Sequence, residues 1–149
     1  MRAVVQRVSR ARVTVEGRVS GEIGAGLMIL LGVGKEDTAT VAAAMAEKVA
    51  NLRIFEDAAG KMYLSLLETK RSALVVSQFT LYGDARGQRR PSFISAAAPE
   101  LAKKLYEEFC DALQRLGIRV GSGIFQAVMS VELVNEGPVT ILVDSNKTF

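Results

Sequence analysis

The sequence has 149 residues, of which 49% are hydrophobic and 23% charged, so it can bury a core and is expected to form one domain, 1–149. It has no histidine and one cysteine, Cys110, which excludes a Ser-His-Asp triad, a Cys-His dyad and an internal disulfide. We expect Cys110 to be a small core residue, and we expect no zinc site, because carboxylates alone would have to bind the metal. No apolar run approaches the roughly 20 residues that span a membrane, and no signal peptide is recognisable, so a cytoplasmic protein is expected.

The net charge of +3 is distributed unevenly along the chain. Residues 1–20 carry five arginines against one glutamate, and residues 82–104 carry five basic residues against two acidic ones. Two basic segments suggest an anionic partner, such as a phosphate backbone. Ordinary solvated surface is the alternative interpretation, and without other support it is the one that the composition favours.

Alternating and continuous apolar runs predict four strands in the first 33 residues. Segments 2–8 and 10–15 alternate loosely, and a tight turn at Glu16-Gly17 joins them to a strand at 18–23. The run 27–33 is apolar throughout except for one glycine, which is typical of a strand buried on both faces.

A helix is predicted to follow these strands. The glycines of segment 32–35 do not match a P-loop and are expected to end the preceding strand. Asp37 or Thr38 can cap a helix that runs to about Arg53, with apolar residues at helical spacing. A short strand is expected at 62–67.

The middle of the chain combines a buried strand with polar residues. Segment 73–76 is a predicted strand that runs directly into the Ser-Gln-Phe-Thr-Leu stretch at 77–81, whose polar groups must be hydrogen-bonded or serve a ligand. Segment 82–92 is a polar, arginine-rich loop, and such loops are often binding elements. Pro99 begins a second helix that Gly117 ends.

The last third of the chain predicts strands around a Gly-Pro pair. We expect a short strand at 118–120, a loop at 121–123, and strands at 126–134 and 139–144. Gly137-Pro138 lies between the last two as either a hairpin turn or a backbone element that touches a ligand. The whole pattern predicts an α+β fold: a strongly twisted, mostly antiparallel sheet or partly closed β-barrel with two helices packed outside.

The Ser-Gln-Phe-Thr-Leu stretch at 77–81, read together with Asn-Glu-Gly-Pro-Val-Thr at 135–140, resembles the D-aminoacyl-tRNA deacylases, the D-tyrosyl-tRNA deacylase family. The similarity covers nearly the whole chain and includes the segments 2–8, 52–55, 60–62 and 90–93. The sequence departs from the family at Glu136, where Asp is usual, and at Tyr63, where Asn is common. These departures concern the fine substrate preference.

The resemblance implies hydrolysis of the ester that joins a D-amino acid to the terminal adenosine of tRNA, which releases the free D-amino acid and tRNA. It also implies removal of glycine mischarged on alanine tRNA, with no cofactor or metal and no membrane. The resemblance further implies a homodimer in which Gly137-Pro138 of one subunit enters the pocket of the other.

The resemblance also implies roles for individual residues. Backbone N–H groups near Phe79 and Thr80 would stabilise the oxyanion, while a ribose hydroxyl helps water attack. Ser77 and Gln78 would orient the adenosine or support the loop. The carbonyl groups of a cis Gly137-Pro138 element would hold the substrate ammonium, so that an L side chain points into the main chain and is rejected.

Three further expectations concern other side chains. Thr80 could be a nucleophile, but the sequence supplies no base for it, which favours a positioning or packing role. Arg7 is expected to brace the partner's Gly-Pro element. Arg86, Arg89 and Arg90 are candidate tRNA-binding residues through phosphate contacts.

Two other functions fit the residues less well. A non-catalytic RNA-binding module would suit the basic segments, but such modules usually offer several aromatic platforms and this chain is only 6% aromatic. A small-molecule ester or amide hydrolase could use Thr80 or Ser77 as its nucleophile.

Overall fold

The computed structural model describes residues 1–149 and contains eight strands, three α-helices and one 3-10 helix. In chain order they are β1 (Arg2–Val15), β2 (Arg18–Ile23), β3 (Gly26–Gly32), α1 (Ala39–Ala50), β4 (Phe55–Glu56), β5 (Met62–Leu64), α2 (Leu66–Thr69), β6 (Ser72–Ser77), the 3-10 helix (Phe79–Tyr82), α3 (Pro99–Arg115), β7 (Val120–Ser122) and β8 (Ser130–Asp144).

Strand β1 organises the main sheet, because three other strands pair with it. Antiparallel β8 pairs along its whole length, β3 pairs antiparallel with its first half, and β2 pairs antiparallel with its second half through the Glu16-Gly17 turn. Strand β6 extends the sheet in parallel to β3, and β7 adds in parallel to β6. The sheet curls so far that β2 and β7 nearly touch, since a Cβ on Gly21 would lie 2.5 Å from the Ser122 carbonyl oxygen. The predicted partly closed barrel is therefore confirmed.

Two clusters of buried side chains hold the barrel and its helices together. The larger one joins α1 and α3 to the strands through residues that include Met45, Phe109, Ile29 and Val75. The smaller one lies among β1, β2, β3 and β6. Every residue of β3 except Leu30 is buried, as expected for a strand covered on both faces.

Both long helices begin where the sequence predicts. The Thr38 hydroxyl accepts a hydrogen bond from the Val41 amide (3.3 Å) and caps α1, which ends at Ala50 rather than at Arg53. Helix α3 begins at Pro99, and Gly117 follows its end with a positive φ of 89°.

The sequence-based expectation of two helices missed α2. The predicted strand at 62–67 ends at Leu64, and Ser65 and Glu68 then form a capping box that starts the helix. The Ser65 amide donates to Glu68 Oε2 (2.7 Å), and the Glu68 amide donates to Ser65 Oγ (3.2 Å). In a strand, these two amides would need hydrogen-bond acceptors on a neighbouring strand. Because the Ser65 and Glu68 side chains accept their hydrogen bonds instead, the chain changes from strand to helix at this point.

The predicted boundaries of the last strands were also wrong. Residues 121 and 122, expected in a loop, belong to β7, where the ladder with β6 extends from Val120 to Ser122. Strand β8 begins at Ser130 rather than at 126, because Gln126 adopts a left-handed φ of 64° in a turn. No helix has the length and apolar character needed to cross a membrane.

Candidate functional site

The Ser-Gln-Phe-Thr stretch lies at the end of buried strand β6 and turns immediately into the 3-10 helix. The Gln78 amide extends the ladder by donating to the Leu31 carbonyl (2.8 Å). Within the turn, the Leu81 amide donates to the Gln78 carbonyl (3.2 Å) and the Gly83 amide to the Thr80 carbonyl (2.9 Å). The backbone around Phe79 and Thr80 is thus fixed to the central sheet on one side and closed on itself on the other.

Two glycines at the end of β3 allow this turn to pack closely against the sheet. A Cβ on Gly34 would lie 2.6 Å from the Tyr82 hydroxyl oxygen, and one on Gly32 would lie 3.0 Å from the Gln78 carbonyl oxygen. The sequence suggested only that these glycines end the strand. Their second role depends on a contact between distant segments, which spacing along the chain cannot show.

Thr80 is exposed, and its hydroxyl accepts a hydrogen bond from the side-chain amide of Gln78. An amide cannot take a proton from the hydroxyl, so the contact orients Thr80 without activating it. The neighbouring Phe79 ring is 54% exposed and packs edge-on against Phe93, with ring centroids 5.1 Å apart. The turn therefore presents an aromatic face beside a hydroxyl of fixed orientation.

A cleft of about 670 Å³ opens beside the turn. Most of its lining is apolar, and Ser77, Gln78 and Phe79 form one wall, while the N-terminal part of α3 and the segment before β8 form the others; the lining side chains include Phe93, Ala97, Ala102, Phe125 and Met129. Its size and its few polar groups suit a small, partly apolar ligand. Neither Thr80 nor Gly137 nor Pro138 lines it.

The Gly137-Pro138 pair lies in a bulge of β8, and the hairpin-turn alternative is wrong because the strand continues in one direction. Gln6 pairs with Thr140 and Val8 with Asn135, so the four residues 136–139 lie opposite Arg7 alone. The peptide bond between Gly137 and Pro138 is cis, as predicted. The bulge is exposed at its tip.

Arg7 holds this bulge from behind. Its side chain is buried, Nε donates to the Glu136 carbonyl (3.0 Å), and Nη1 donates to the Ile54 carbonyl (2.8 Å). Nη2 also lies 3.9 Å from Glu56 Oε1. Arg7 thus braces the Gly-Pro element of its own chain, whereas the expectation placed this contact across a dimer. Sequence reasoning could not distinguish the two, because β1 and β8 meet only in the folded sheet.

The three candidate tRNA-binding arginines all lie on one exposed loop. Hydrogen bonds in both directions between Asp84 and Ser92 (2.8 and 2.9 Å) close its base, so the loop is more ordered than expected. Arg86 is paired with Asp84 (2.6 Å), and its side-chain hydrogen bond holds the pKa of that carboxyl well below its usual range. Arg89 and Arg90 are exposed and make no ion pair.

Cys110 packs beside the larger core cluster, as predicted. Burial raises the pKa of its thiol to about 12, so the nucleophilic thiolate form is absent near neutral pH. The structure contains no cluster of three or more cysteine, aspartate or glutamate side chains that could bind a metal ion.

Comparison with known proteins places the chain in a family. The model of the D-Tyr-tRNA(Tyr) deacylase family matches residues 4–144. A D-aminoacyl-tRNA deacylase of Myxococcus xanthus is 64% identical over 145 residues, covering 97% of this chain and 95% of the relative. One of Koribacter versatilis is 60% identical over 149 residues, covering both chains completely.

Two solved structures are similar to this chain in fold. A structure described as a c-Myc DNA unwinding element binding protein is 40% identical, with a TM-score of 0.91 over 97% of this chain and 98% of the other. A structure of a probable eukaryotic D-amino acid tRNA deacylase shares the fold, with a TM-score of 0.85, 20% identity and coverage of 95% and 97%. With its Ser-Gln-Phe-Thr turn and Gly-Pro bulge, the chain belongs to the D-Tyr-tRNA(Tyr) deacylase family of hydrolases.

Proposed function

We propose that this protein, as one domain over residues 1–149, hydrolyses the ester bond of D-aminoacyl-tRNA in the cytoplasm as a proofreading step of translation. The observation that carries the proposal is the apolar cleft beside Ser77, Gln78 and Phe79. Family membership supplies the substrate class, and the volume and mostly apolar lining of the cleft are compatible with a terminal adenosine. No cofactor is required for this reaction.

In the proposed reaction, water adds to the ester carbonyl carbon and an oxyanion forms. The bond between that carbon and the ribose oxygen then breaks, the ribose oxygen takes the proton that the attacking water gives up, and the free D-amino acid leaves. The backbone amides of Phe79 and Thr80 would stabilise the oxyanion, which is consistent with the absence of a side-chain cap on the 3-10 helix. A neighbouring ribose hydroxyl would direct the water, so the reaction needs no histidine.

The side chains around the turn would position the substrate. Ser77 and Gln78 would face the adenosine from the wall of the cleft. Thr80 would orient groups rather than attack the ester, because its one side-chain partner is the Gln78 amide. A Thr80→Val variant is expected to retain part of its activity; complete loss with intact folding and binding would assign Thr80 a direct catalytic role.

The Gly-Pro bulge would supply stereochemical selection in a homodimer. Entering the cleft of a second subunit, its carbonyl groups would hold the substrate ammonium, so that an L side chain meets the main chain and a D side chain points away. Glycine has no side chain and would pass, which accounts for removal of glycine mischarged on alanine tRNA. The exposed tip of the bulge and the unpaired outer edge of β8 support this arrangement, because one chain alone does not bring the bulge to its own cleft.

The proposal is tested by charging one tRNA with the D and the L form of the same amino acid and following ester loss. We expect the protein to accelerate hydrolysis of the D form only. If the protein accelerates hydrolysis of neither form, the RNA-binding module is the remaining function. If it hydrolyses a free D-amino-acid ester as fast as D-aminoacyl-tRNA, it is a small-molecule hydrolase. Full discrimination by a monomeric variant would contradict the role of the second subunit.

The exposed loop between Asp84 and Ser92, which carries Arg86, Arg89 and Arg90, is expected to bind tRNA phosphates. Replacing Arg89 and Arg90 by alanine should weaken tRNA binding and lower the slope of log affinity against log salt by about one per lost phosphate contact. Adding Arg86→Ala should have a smaller effect, because Asp84 already occupies that guanidinium. A variant in which Lys103 and Lys104 on α3 are both alanine removes the same charge, and an equal change in its slope would contradict a specific role for the loop.

A further inference from the structure

A polar network lies under the catalytic turn, away from the substrate cleft. Its centre is Arg2, whose Nη1 donates to the Leu81 carbonyl (3.0 Å) and whose Nε donates to Asp144 Oδ2 (3.2 Å). The guanidinium also lies over the Tyr82 ring, with its carbon 4.6 Å from the ring centroid. One side chain of β1 therefore touches the backbone of the turn, its last aromatic residue and the end of β8.

Asp144 is prepared to hold this arginine. Its side chain is only 2% exposed, and besides Arg2 it accepts hydrogen bonds from the Asn146 amide (2.8 Å) and the Thr148 hydroxyl. Although burial opposes ionisation, these donors and Arg2 lower the pKa of Asp144. The carboxylate is thus charged near neutral pH and fixes the position of the guanidinium.

The buried carboxylate of Asp37 lies near Tyr82, and both residues line the same cleft. This buried carboxylate accepts hydrogen bonds from the Met1 ammonium (2.5 Å) and the Gly34 amide (2.6 Å). Burial, with Asp37 nearby, raises the pKa of Tyr82, so the ring remains neutral. Within this network, Arg2 is the side chain that hydrogen-bonds to the backbone of the turn.

We propose that Arg2 is a positioning residue for ester hydrolysis, acting through the Leu81 carbonyl on the backbone of Phe79 and Thr80. The proposal rests on the proposed function, in which those two amides stabilise the oxyanion. Oxyanion donors contribute fully only when they are held in place before the reaction, and a single-turn 3-10 helix has poor hydrogen-bond geometry of its own. Arg2 supplies the missing constraint from outside the helix.

The geometry separates this role from substrate binding. Arg2 does not line the substrate cleft but a second cleft of about 1010 Å³, which shares none of its lining residues with the first. Loss of Arg2 should therefore lower kcat and leave KM for D-aminoacyl-tRNA almost unchanged. If Arg2 contributed only to folding, its loss would lower the amount of active protein, and the properly folded fraction would keep the kcat of the wild type.

The test compares Arg2→Met and Arg2→Lys with the wild type in single-turnover experiments, which give the rate of the chemical step, and in steady-state experiments, which give kcat and KM. We expect the rate of the chemical step to fall about tenfold in Arg2→Met, with KM within twofold of the wild type. Arg2→Lys should be intermediate, because a lysine keeps the charge but lacks the fork that joins Leu81 to Asp144. The control is Arg12→Met on the same strand, which breaks an exposed pair with Glu132 far from the turn and should leave the rate unchanged.

Chemical rescue provides a second readout. Arg2 is 28% exposed, so guanidinium ion can reach the space that an Arg2→Ala variant leaves. Millimolar guanidinium should restore much of the rate of Arg2→Ala, whereas sodium at the same ionic strength should not. Far-ultraviolet circular dichroism and thermal melting report the folded fraction in each sample.

The outcomes separate the two proposals. An active wild type with unchanged kcat in both Arg2→Met and Arg2→Ala overturns the role of Arg2 and leaves the proposed function standing. A loss of rate that matches the loss of folded protein, or that appears only in KM, also overturns it. A folded wild type that does not deacylate D-aminoacyl-tRNA overturns both.

Discussion

Gly137 occupies a position that any other residue would disturb. Its φ is 127°, a region that L side chains rarely adopt, and a Cβ there would lie 2.9 Å from both Arg7 Nη2 and Val139 Cγ2. The sequence predicts the importance of this residue through the Gly-Pro motif. The contact with Arg7, which explains why the glycine is needed, is visible only in the folded sheet.

Replacing Gly137 by alanine should therefore displace Arg7 or the bulge. We expect a loss of deacylation of at least tenfold and a fall of about 1–3 kcal/mol in the free energy of unfolding, measured by urea titration. Gly17→Ala is the matched control, because Gly17 also has a positive φ (75°) but no atom within 4 Å of a Cβ. If both variants kept full activity, the bulge would not depend on this glycine.

At the level of elements, the sequence predicted strands and helices wherever local signals agree with the fold. Thr38 and Pro99 marked true helix starts, and the run 27–33 marked a true buried strand. The short strand predicted at 118–120 exists, but β7 lies two residues further on, at Val120–Ser122. Its bounds depend on pairing with β6, almost 50 residues away, and the glycines at 121 and 123 hide that pairing in the sequence. Helix α2 was missed although its capping box is readable, since the apolar run at 62–67 also fits a strand.

The capping box gives a test at this scale. Ser65→Ala removes the acceptor for the Glu68 amide and should lower the free energy of unfolding by about 1 kcal/mol. Thr38→Ala, which removes the cap of α1, should have an effect of similar size through the same physics. Chemical denaturation measures both, and deacylation should not change, because neither residue lines the cleft. A neutral Ser65→Ala would mean that core packing of Leu66 alone holds α2.

At the scale of the whole molecule, hydrogen bonds join residues near the two ends of the chain to the turn in its middle: Arg2 bonds to both Asp144 and Leu81. The motif residues Ser77, Gln78 and Phe79 can be read from the sequence, but the contacts that Gly34, Arg2 and Asp144 make beneath the turn cannot, because they join segments far apart in sequence. Sequence motifs identify the residues of the turn, but only the fold reveals what supports it.

This arrangement predicts how stability depends on pH. Because the folded-state pKa of Asp144 lies below its unfolded value of about 3.9, the ionised carboxylate stabilises the folded state above about pH 4. That contribution is lost as the pH falls through the lower, folded-state pKa. Urea midpoints measured from pH 7 to pH 2 should fall less steeply for Asp144→Asn than for the wild type. Parallel curves would show that Asp144 does not contribute to the acid sensitivity.

The pairing of β1 with β8 also governs how the chain can reach its native state. Residues 2–14 find their partners at 130–144, so the central ladder closes a loop of more than a hundred residues. Loops of that length make a high contact order, and folding rates fall as contact order rises. During synthesis on the ribosome, β1 emerges first. Until β8 has been made, β1 can pair only with β2 and β3, which cover part of its apolar surface. The barrel is thus expected to fold slowly and to close only after the last strand has been made.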